Sequence, residues 1–275
     1  MQRTIVIGNI SLDHIHRPGH QPVRQLGGAA LHLAVAAART GLPVAPGAVL
    51  GRDLARLPHD PRLPALDWTL LHHAPQPSAA FTIHYDTADT VTAVDTAYGA
   101  AEHLTGHALH LIDRHPQAAF HISCRHPLHV AAVLPALAAR GCPFSLDFHL
   151  PSAPQLIPAA APWLHQATTI FVNAEEHTVL TLHAAPRSCR EIVISDGPRP
   201  ARAVLNGRAL PPVTPPVQPT VRQITGAGDT LAGTYLAHRT RGVPPPAALT
   251  HAVQAASHHI AHTPLTLPAP RSAPS

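Results

Sequence analysis

Two hydrophobic periods alternate along this chain. Ile5 to Ile10 is an apolar run interrupted only at Gly8-Asn9, as a buried strand would be, and Ala29 to Thr40 carries apolar residues at helical spacing until Gly41. Val44 to Leu50 then resumes the strand pattern, which completes a βαβ unit. The order returns downstream: Ala118 to Ser123 reads as a strand, Leu128 to Arg140 as a helix closed by Gly141, and Phe144 to Phe148, Thr169 to Val172 and Ile192 to Ser195 as further strands. Asp229 to Arg239 and Pro246 to His262 read as two closing helices. Repeated β-α units predict an α/β fold, a mostly parallel sheet with helices on both faces.

One segment breaks this rhythm. Phe81-Thr-Ile83-His-Tyr85 and Val91-Thr-Ala93-Val94 alternate with period two on either side of residues 86–90, which predicts an antiparallel hairpin and a candidate lid. The Pro/Ala-rich pieces at 58–65, 150–162 and 211–219 read as surface connections, and the tail from Pro264 as a frayed end. No internal repeat is visible.

Composition narrows the function classes. With 275 residues, 45% of them hydrophobic, the chain can bury a sizeable core, which excludes disorder over most of its length. The longest apolar stretches, Ala29 to Ala38 and Val130 to Ala139, are half the roughly 20 residues of a spanning helix, so no membrane segment is expected. The start, Met1-Gln2-Arg3 running into Thr4-Ile5-Val6-Ile7, lacks the pattern of a signal peptide, and a soluble cytoplasmic protein is expected. Cys124, Cys142 and Cys189 have neither disulfide nor zinc spacing and read as buried thiols. All 19 basic residues are arginine, scattered rather than clustered, and the net charge is only +4, so no nucleic-acid partner is expected. The 24 histidines accompany abundant Ala, Pro and Arg without any Lys, a compositional bias rather than a chemistry. His258 and His262 have i, i+4 spacing but no H-E-x-x-H motif, so no metal is expected there.

The chemistry is concentrated at Ile224-Thr225-Gly226-Ala227-Gly228-Asp229-Thr230, which follows a loop and opens a helix. Backbone N–H groups converging at a helix N-terminus bind anions, small residues let a phosphate approach, and an Asp in that first turn can accept a proton from an attacking hydroxyl. The same residues also suit a flexible loop followed by a capping Asp.

The neighbouring motifs join this one in a pattern that resembles the ribokinase-like (PfkB) family of carbohydrate and nucleoside kinases. Gln223 to Gly233 is similar to the C-terminal signature D-T-x-G-A-G-D-x-F-x-x-G, and Gly27-Gly28 leading through His32 and Ala34 to Arg39-Thr-Gly41 is similar to the N-terminal one. Asn173-Ala-Glu175-Glu176 matches an N-x-x-E motif at a strand end, and Gly8 to Asp13 and Ser195-Asp-Gly197 also fit the family's blocks in order and spacing. The resemblance covers nearly the whole chain. It implies a single ribokinase-like domain over 1–275, a three-layer α/β/α architecture with a mostly parallel central sheet and a small β lid, its elements at about 11–25 and 80–97. The implied activity is transfer of a phosphoryl group from ATP, with Mg²⁺, to a hydroxyl of a sugar, sugar-like acid or nucleoside.

The resemblance also implies residue roles. Asp229 would be the general base, with Gly226, Ala227 and Gly228 as the anion hole for the transferring phosphoryl group. Asn173, Ser195, Gly197, Thr225 and Gly228 would contact the nucleotide. Asn173 and Glu176 would hold Mg²⁺ largely through waters, although the same pair also reads as a capped helix start. Asp13, Gly27, Gly28 and His32 would meet the acceptor, and Asp13 also reads as a turn residue. Four positions depart from the family: Gln223 stands where an Asp is linked to a monovalent-cation site, so potassium activation is not expected. His32 replaces an Asn, and His149 and Pro151 replace the Asn and Arg of D-x-N-x-R, in which Asp147 is retained. These changes leave the acceptor open. The lid leaves monomer or homodimer open, since its strand edges could pair across a two-fold axis while the short segment between Asp13 and Gly27 reduces it. A kinase-fold sensor without turnover is the alternative, though a binder has no need of the base. A dinucleotide-dependent oxidoreductase would require G-x-G-x-x-G after the first strand, where Gly8-Asn-Ile-Ser stands instead.

Overall fold

A computed structural model describes residues 2–87, 90–221, 224–262 and 264–267. In chain order the strands and helices are β1 (Thr4–Ile7), β2 (Ser11–His16), β3 (Val23–Gly27), α1 (Ala29–Arg39), β4 (Val44–Gly47), β5 (Val49–Leu50), β6 (His72–His73), β7 (Ala80–Tyr85), β8 (Val91–Ala97) and α2 (Leu104–Arg114). They continue as β9 (Ala119–Cys124), α3 (Val130–Ala139), β10 (Phe144–Phe148), α4 (Ala153–Ala160), β11 (Ile170–Asn173), α5 (Ala174–His183), β12 (Glu191–Asp196), β13 (Arg199–Leu205), β14 (Arg208–Ala209), α6 (Ala227–Thr240), α7 (Pro245–Ala261) and β15 (Thr266–Leu267).

The main sheet has eight strands in the order β14-β13-β12-β11-β10-β9-β1-β4, parallel from β4 to β12 and antiparallel at the β13 and β14 edge. Its central strands are apolar on both faces because both are covered. On one side Ile5, Ile7, Phe120 and Ile122 meet Leu111 of α2, Leu134 of α3 and Ile157 of α4. On the other, Val6, Phe171 and Val193 meet Ala34 of α1, Tyr235 of α6 and Val253 of α7. The result is the three-layer α/β/α arrangement.

The second sheet has five strands, β15-β3-β2-β7-β8, and includes the expected hairpin as β7 and β8. Three expectations are corrected here. The first strand stops at Ile7 rather than Ile10, because the chain leaves the main sheet there and re-enters structure as β2 of the second one. The tail expected to fray from Pro264 instead pairs Thr266 and Leu267 with Gln25 and Arg24 of β3, and the Leu265 carbonyl accepts the Leu26 N–H at 2.8 Å. The 150–162 connection contains α4, in which Pro154 occupies a first-turn position whose N–H needs no intrahelical partner, and Leu156, Ile157 and Ala160 are buried. Helix α2, which the periodicity reading passed over, buries Leu104, Ala108, Leu111 and Ile112 at helical spacing. Gln223 lies outside the described residues. Among those described, no helix is long and apolar enough to cross a membrane.

Candidate active site

Strand order reverses between β1 and β9: after β1 the chain first adds β4 on one side, then β9 to β12 on the other. Parallel sheets bind ligands outside the carboxyl ends of the strands at such a switch point. Here a cleft of about 850 Å³ opens between the main sheet and the second one. Asp13, Gly28, His32, Asn173, Glu176, Ser195, Thr225, Gly226, Gly228 and Asp229 all line it, although they come from opposite ends of the sequence. Gly27, Ala227 and Gly197 do not.

Backbone geometry dominates one end of the cleft. Gly226 is the N-cap of α6 with φ +83°, a left-handed conformation that favours glycine, and no side chain caps the helix. The first-turn N–H groups of Gly228 and Asp229 have no intrahelical acceptor, so they and the helix dipole face the cleft mouth as an anion site. Ala227 is different, since its N–H is taken up by the Ile224 carbonyl at 3.2 Å. A Cβ on Gly226 would lie 2.6 Å from Cγ of His32. The His32 ring also stands edge-on to His259, whose Nε2 bonds the Thr225 carbonyl at 2.8 Å. His32, expected to read the acceptor, lines the cleft, and its ring also contacts this loop. Burial lowers its pKa to about 4, so it is a neutral brace at physiological pH.

Asn173 and Ser195 are neighbours at the ends of β11 and β12. Asn173 caps α5 through a reciprocal box: its Oδ1 accepts the Glu176 N–H and its own N–H donates to Glu176 Oε2, both at 2.8 Å. Burial pushes the Glu176 carboxyl up to about 7 against the opposing effect of that bond. A buried carboxyl whose ionisation is resisted by desolvation gains from a nearby cation. The pair fits Mg²⁺ through the metal's waters rather than by direct ligation, because Asn173 Oδ1 is already engaged. Gly197, expected at the nucleotide, forms the turn between β12 and β13 with φ +56° and lies outside the cleft lining.

The other end is built from side chains. Asp13 is buried on β2, accepts a hydrogen bond from Ser11 Oγ at 2.7 Å, and is raised to about 6 by burial. Gly27, paired with Ser11 across β2 and β3, supplies the space for that carboxylate, since a Cβ there would collide with it. It therefore supports Asp13 rather than lining the cleft. Asn9 Oδ1 is buried in the lining without a protein partner, an acceptor left for a ligand hydroxyl. Phe81, Ile83, Val94 and Tyr98 form an apolar roof.

Between the two ends lies a group the sequence reading missed. Arg125 follows β9 and donates through Nη2 both to Asp147 and, at 3.3 Å, to Asp229 Oδ1. Asp147 also meets His121 Nε2 at 3.1 Å, and His121 Nδ1 meets Ser145 Oγ at 2.9 Å. Burial would raise Asp147, but the guanidinium and His121 hold it down at about 2. Burial works against the charge on Arg125 as well, and the two carboxylates outweigh it. His149, beside these groups, is lowered to about 4 by burial and the Arg125 charge. The only sequence signal for Arg125 is its place just beyond a parallel strand. Among the described residues, no cluster of three His, Cys, Asp or Glu side chains could hold a metal directly.

The fold recurs in known kinases. The nucleoside kinase of Burkholderia thailandensis in complex with inosine is similar over 94% of this chain and 91% of that one, at 20% identity and a TM-score of 0.79. The adenosine kinase from Sinorhizobium meliloti is similar over 96% of each chain, at 17% identity and a TM-score of 0.77. The nucleoside kinase of Methanocaldococcus jannaschii is similar over 96% of this chain and 93% of that one, at 15% identity and a TM-score of 0.77. No curated protein matches the sequence. At these identities likeness of structure carries the fold alone, but the model of the pfkB family carbohydrate kinases matches residues 1–271, nearly the full length. The chain belongs to the PfkB family of carbohydrate kinases.

Proposed function

We propose that this kinase transfers the γ-phosphoryl group of ATP to a hydroxymethyl group of a small polyhydroxylated acceptor, with Asp229 as general base. The observation that carries the reading is the single cleft in which an uncapped helix N-terminus bearing Asp229 lies between a nucleotide end, Asn173 and Ser195, and an acceptor end, Asn9 and Asp13. Its volume, near the top of the range for one ligand, leaves room for two in line. Asp13 and Asn9 accept hydrogen bonds from acceptor hydroxyls, and Gly28 lets the acceptor approach the main chain. The acceptor oxygen bonds to the γ-phosphorus as its proton passes to Asp229; the bond from phosphorus to the β-γ bridging oxygen breaks and its electron pair leaves with ADP. Gly226 to Gly228 form the anion hole, donating chiefly through the Gly228 and Asp229 N–H groups because Ala227 is engaged. Thr225, Ser195 and Asn173 contact the nucleotide. Mg²⁺, held through waters by Asn173 and Glu176, would neutralise charge on the phosphates.

Among sugars, sugar acids and nucleosides, the apolar roof of Phe81, Ile83, Val94 and Tyr98 favours a nucleoside, whose flat base needs such a wall while its ribose meets Asp13. Two of the structural relatives are nucleoside kinases and a third is an adenosine kinase. The test is ADP formation from Mg-ATP with a panel of nucleosides, sugars and sugar acids. Turnover with nucleosides is expected; turnover with sugar acids alone would overturn the acceptor class, and absence of ATP binding would overturn the kinase reading.

A further inference from the structure

Resting on Asp229 as the base, we infer that Arg125 is a positioning residue for this reaction, one that aims the Asp229 carboxylate into the cleft and compensates its charge. The geometry is a chain of polar groups running out of the sheet: Ser145 to His121, His121 to Asp147, Asp147 to Arg125, Arg125 to Asp229. Ser145 and His121 are fully or almost fully buried, and the side chains of Asp147, Asp229 and Arg125 are only 9%, 12% and 18% exposed. Carrying such groups into a core is costly unless each is satisfied, and a hydrophobic replacement would often be as stable. A functional reason for the chain is therefore sought at its open end, and that end is Asp229.

Charge makes the reason specific. Asp147 and Asp229 are two carboxylates sharing one guanidinium nitrogen, with a phosphoryl group due to arrive beside them. The other groups facing Asp229 are imidazoles: His32 from α1, His149 after β10 and His259 from α7, each lowered by burial. Among the described residues, Arg125 is thus the permanent cation that bonds both acids in this part of the cleft. Without it Asp229 would face Asp147 as a second uncompensated carboxylate, and repulsion between like charges would turn it off its bearing. With it the carboxylate is held at a fixed bearing, and when Asp229 takes the proton the guanidinium charge, still paired with Asp147, loses one of its two anions next to the transferring group. Arg125 Nε has no protein acceptor, so the guanidinium also has a donor to spare.

The test compares Arg125→Gln and Arg125→Lys with the wild type, first through crystal structures of the free proteins, which show the bearing of the Asp229 carboxylate directly. In Arg125→Gln that carboxylate is expected to swing away from Asp147 and lose its aim into the cleft, and in Arg125→Lys to keep most of it. Kinetics with Mg-ATP and inosine should show kcat falling about tenfold to a hundredfold in Arg125→Gln with the KM for Mg-ATP little changed, and Arg125→Lys recovering part of the loss. An Asp229 carboxylate that keeps its bearing in a folded Arg125→Gln variant, or equal loss of activity in the Lys and Gln variants, overturns the proposal. The structures need no turnover, so a wild-type protein inactive on every acceptor would strike the kinase reading while leaving this comparison decisive for Arg125.

Discussion

The two ends of the cleft are made of different materials. The end proposed for the phosphates is main chain: a left-handed glycine, an uncapped helix start and a short run of small residues, all consecutive in sequence. The end proposed for the acceptor is side chain: Asn9, Asp13 and the roof of Phe81, Ile83, Val94 and Tyr98, on strands and loops that only folding gathers. A main-chain site recognises what all substrates of a kinase family share, the phosphates, whereas a side-chain site can change its ligand by substitution. The difference predicts that variants at one end alter turnover with any acceptor, and variants at the other alter which acceptor is used.

The largest effect tests the boundary between the ends. Asp229→Asn keeps the shape and removes the proposed base, so turnover should fall by about 10²–10⁴-fold while Mg-ATP affinity, measured by calorimetry, stays near that of the wild type. Near-normal turnover would remove Asp229 from its role and leave the phosphate end a binding site only. Gly226→Ala is next. Its φ of +83° costs an L-residue about 1–2 kcal/mol, and the new Cβ must displace His32, 2.6 Å away at Cγ. The melting temperature and kcat should both fall, for every acceptor alike; an effect confined to one acceptor would contradict the division.

The same division explains how much was legible in the sequence. Gly-Ala-Gly-Asp and Asn173-Ala-Glu175-Glu176 are local, so their spacing carries their conformation; the structure bears out the capped helix start that was the second reading of Asn173. The βαβ rhythm was readable because strands buried on both faces are apolar runs. Arg125 was not readable, since its partners lie 22 and 104 residues away and no periodicity marks an ion pair across β9, β10 and α6. Asp13 was legible as an acid but not in its dependence on Gly27, which arises from pairing between β2 and β3. The Pro/Ala-rich stretch over α4 read as a surface connection, whereas a first-turn proline such as Pro154 is compatible with a helix, and the two-residue β15 is too short for any pattern.

A sharper test of the acceptor end uses pH. The folded-state pKa of Asp13 is raised from 3.8 to about 6, because burial disfavours its charged form. The fold is therefore relieved of this penalty below pH 4 and carries it in full once the pH has risen above about 6, where it amounts to about 3 kcal/mol. Asp13→Asn removes the charge and keeps the shape, so the variant should melt above the wild type at pH 8, with the gap closing toward pH 4. Its KM for the acceptor should nevertheless rise about tenfold or more, as loss of hydrogen bonds to a charged group implies, with the KM for Mg-ATP unchanged. A matching rise for Mg-ATP would show that the two ends are not separable. Glu176→Gln should act at the opposite end and more weakly. The Mg²⁺ concentration for half-maximal rate should rise a few-fold, since a group acting through water contributes less than a direct ligand, and acceptor KM should not change.

The smallest expected effect reaches the acceptor end from the far end of the chain. β15 adds Thr266 and Leu267 to the outer edge of β3, Leu265 accepts the Leu26 N–H, and Arg62 Nη1 donates to the Thr266 carbonyl at 2.7 Å. β3 in turn holds β2, which carries Asp13, so the tail bears on the proposed acceptor end through two strand pairings. A chain ended after His262 loses a few hydrogen bonds of about 0.5–1.5 kcal/mol each, part of which water regains at an exposed edge. Acceptor KM should rise two- to fivefold, with kcat and the KM for Mg-ATP held. If the truncated chain instead lost kcat for all acceptors, the second sheet would be ordering Asp229 as well as the acceptor, and the cleft would have to be treated as one cooperative site rather than two.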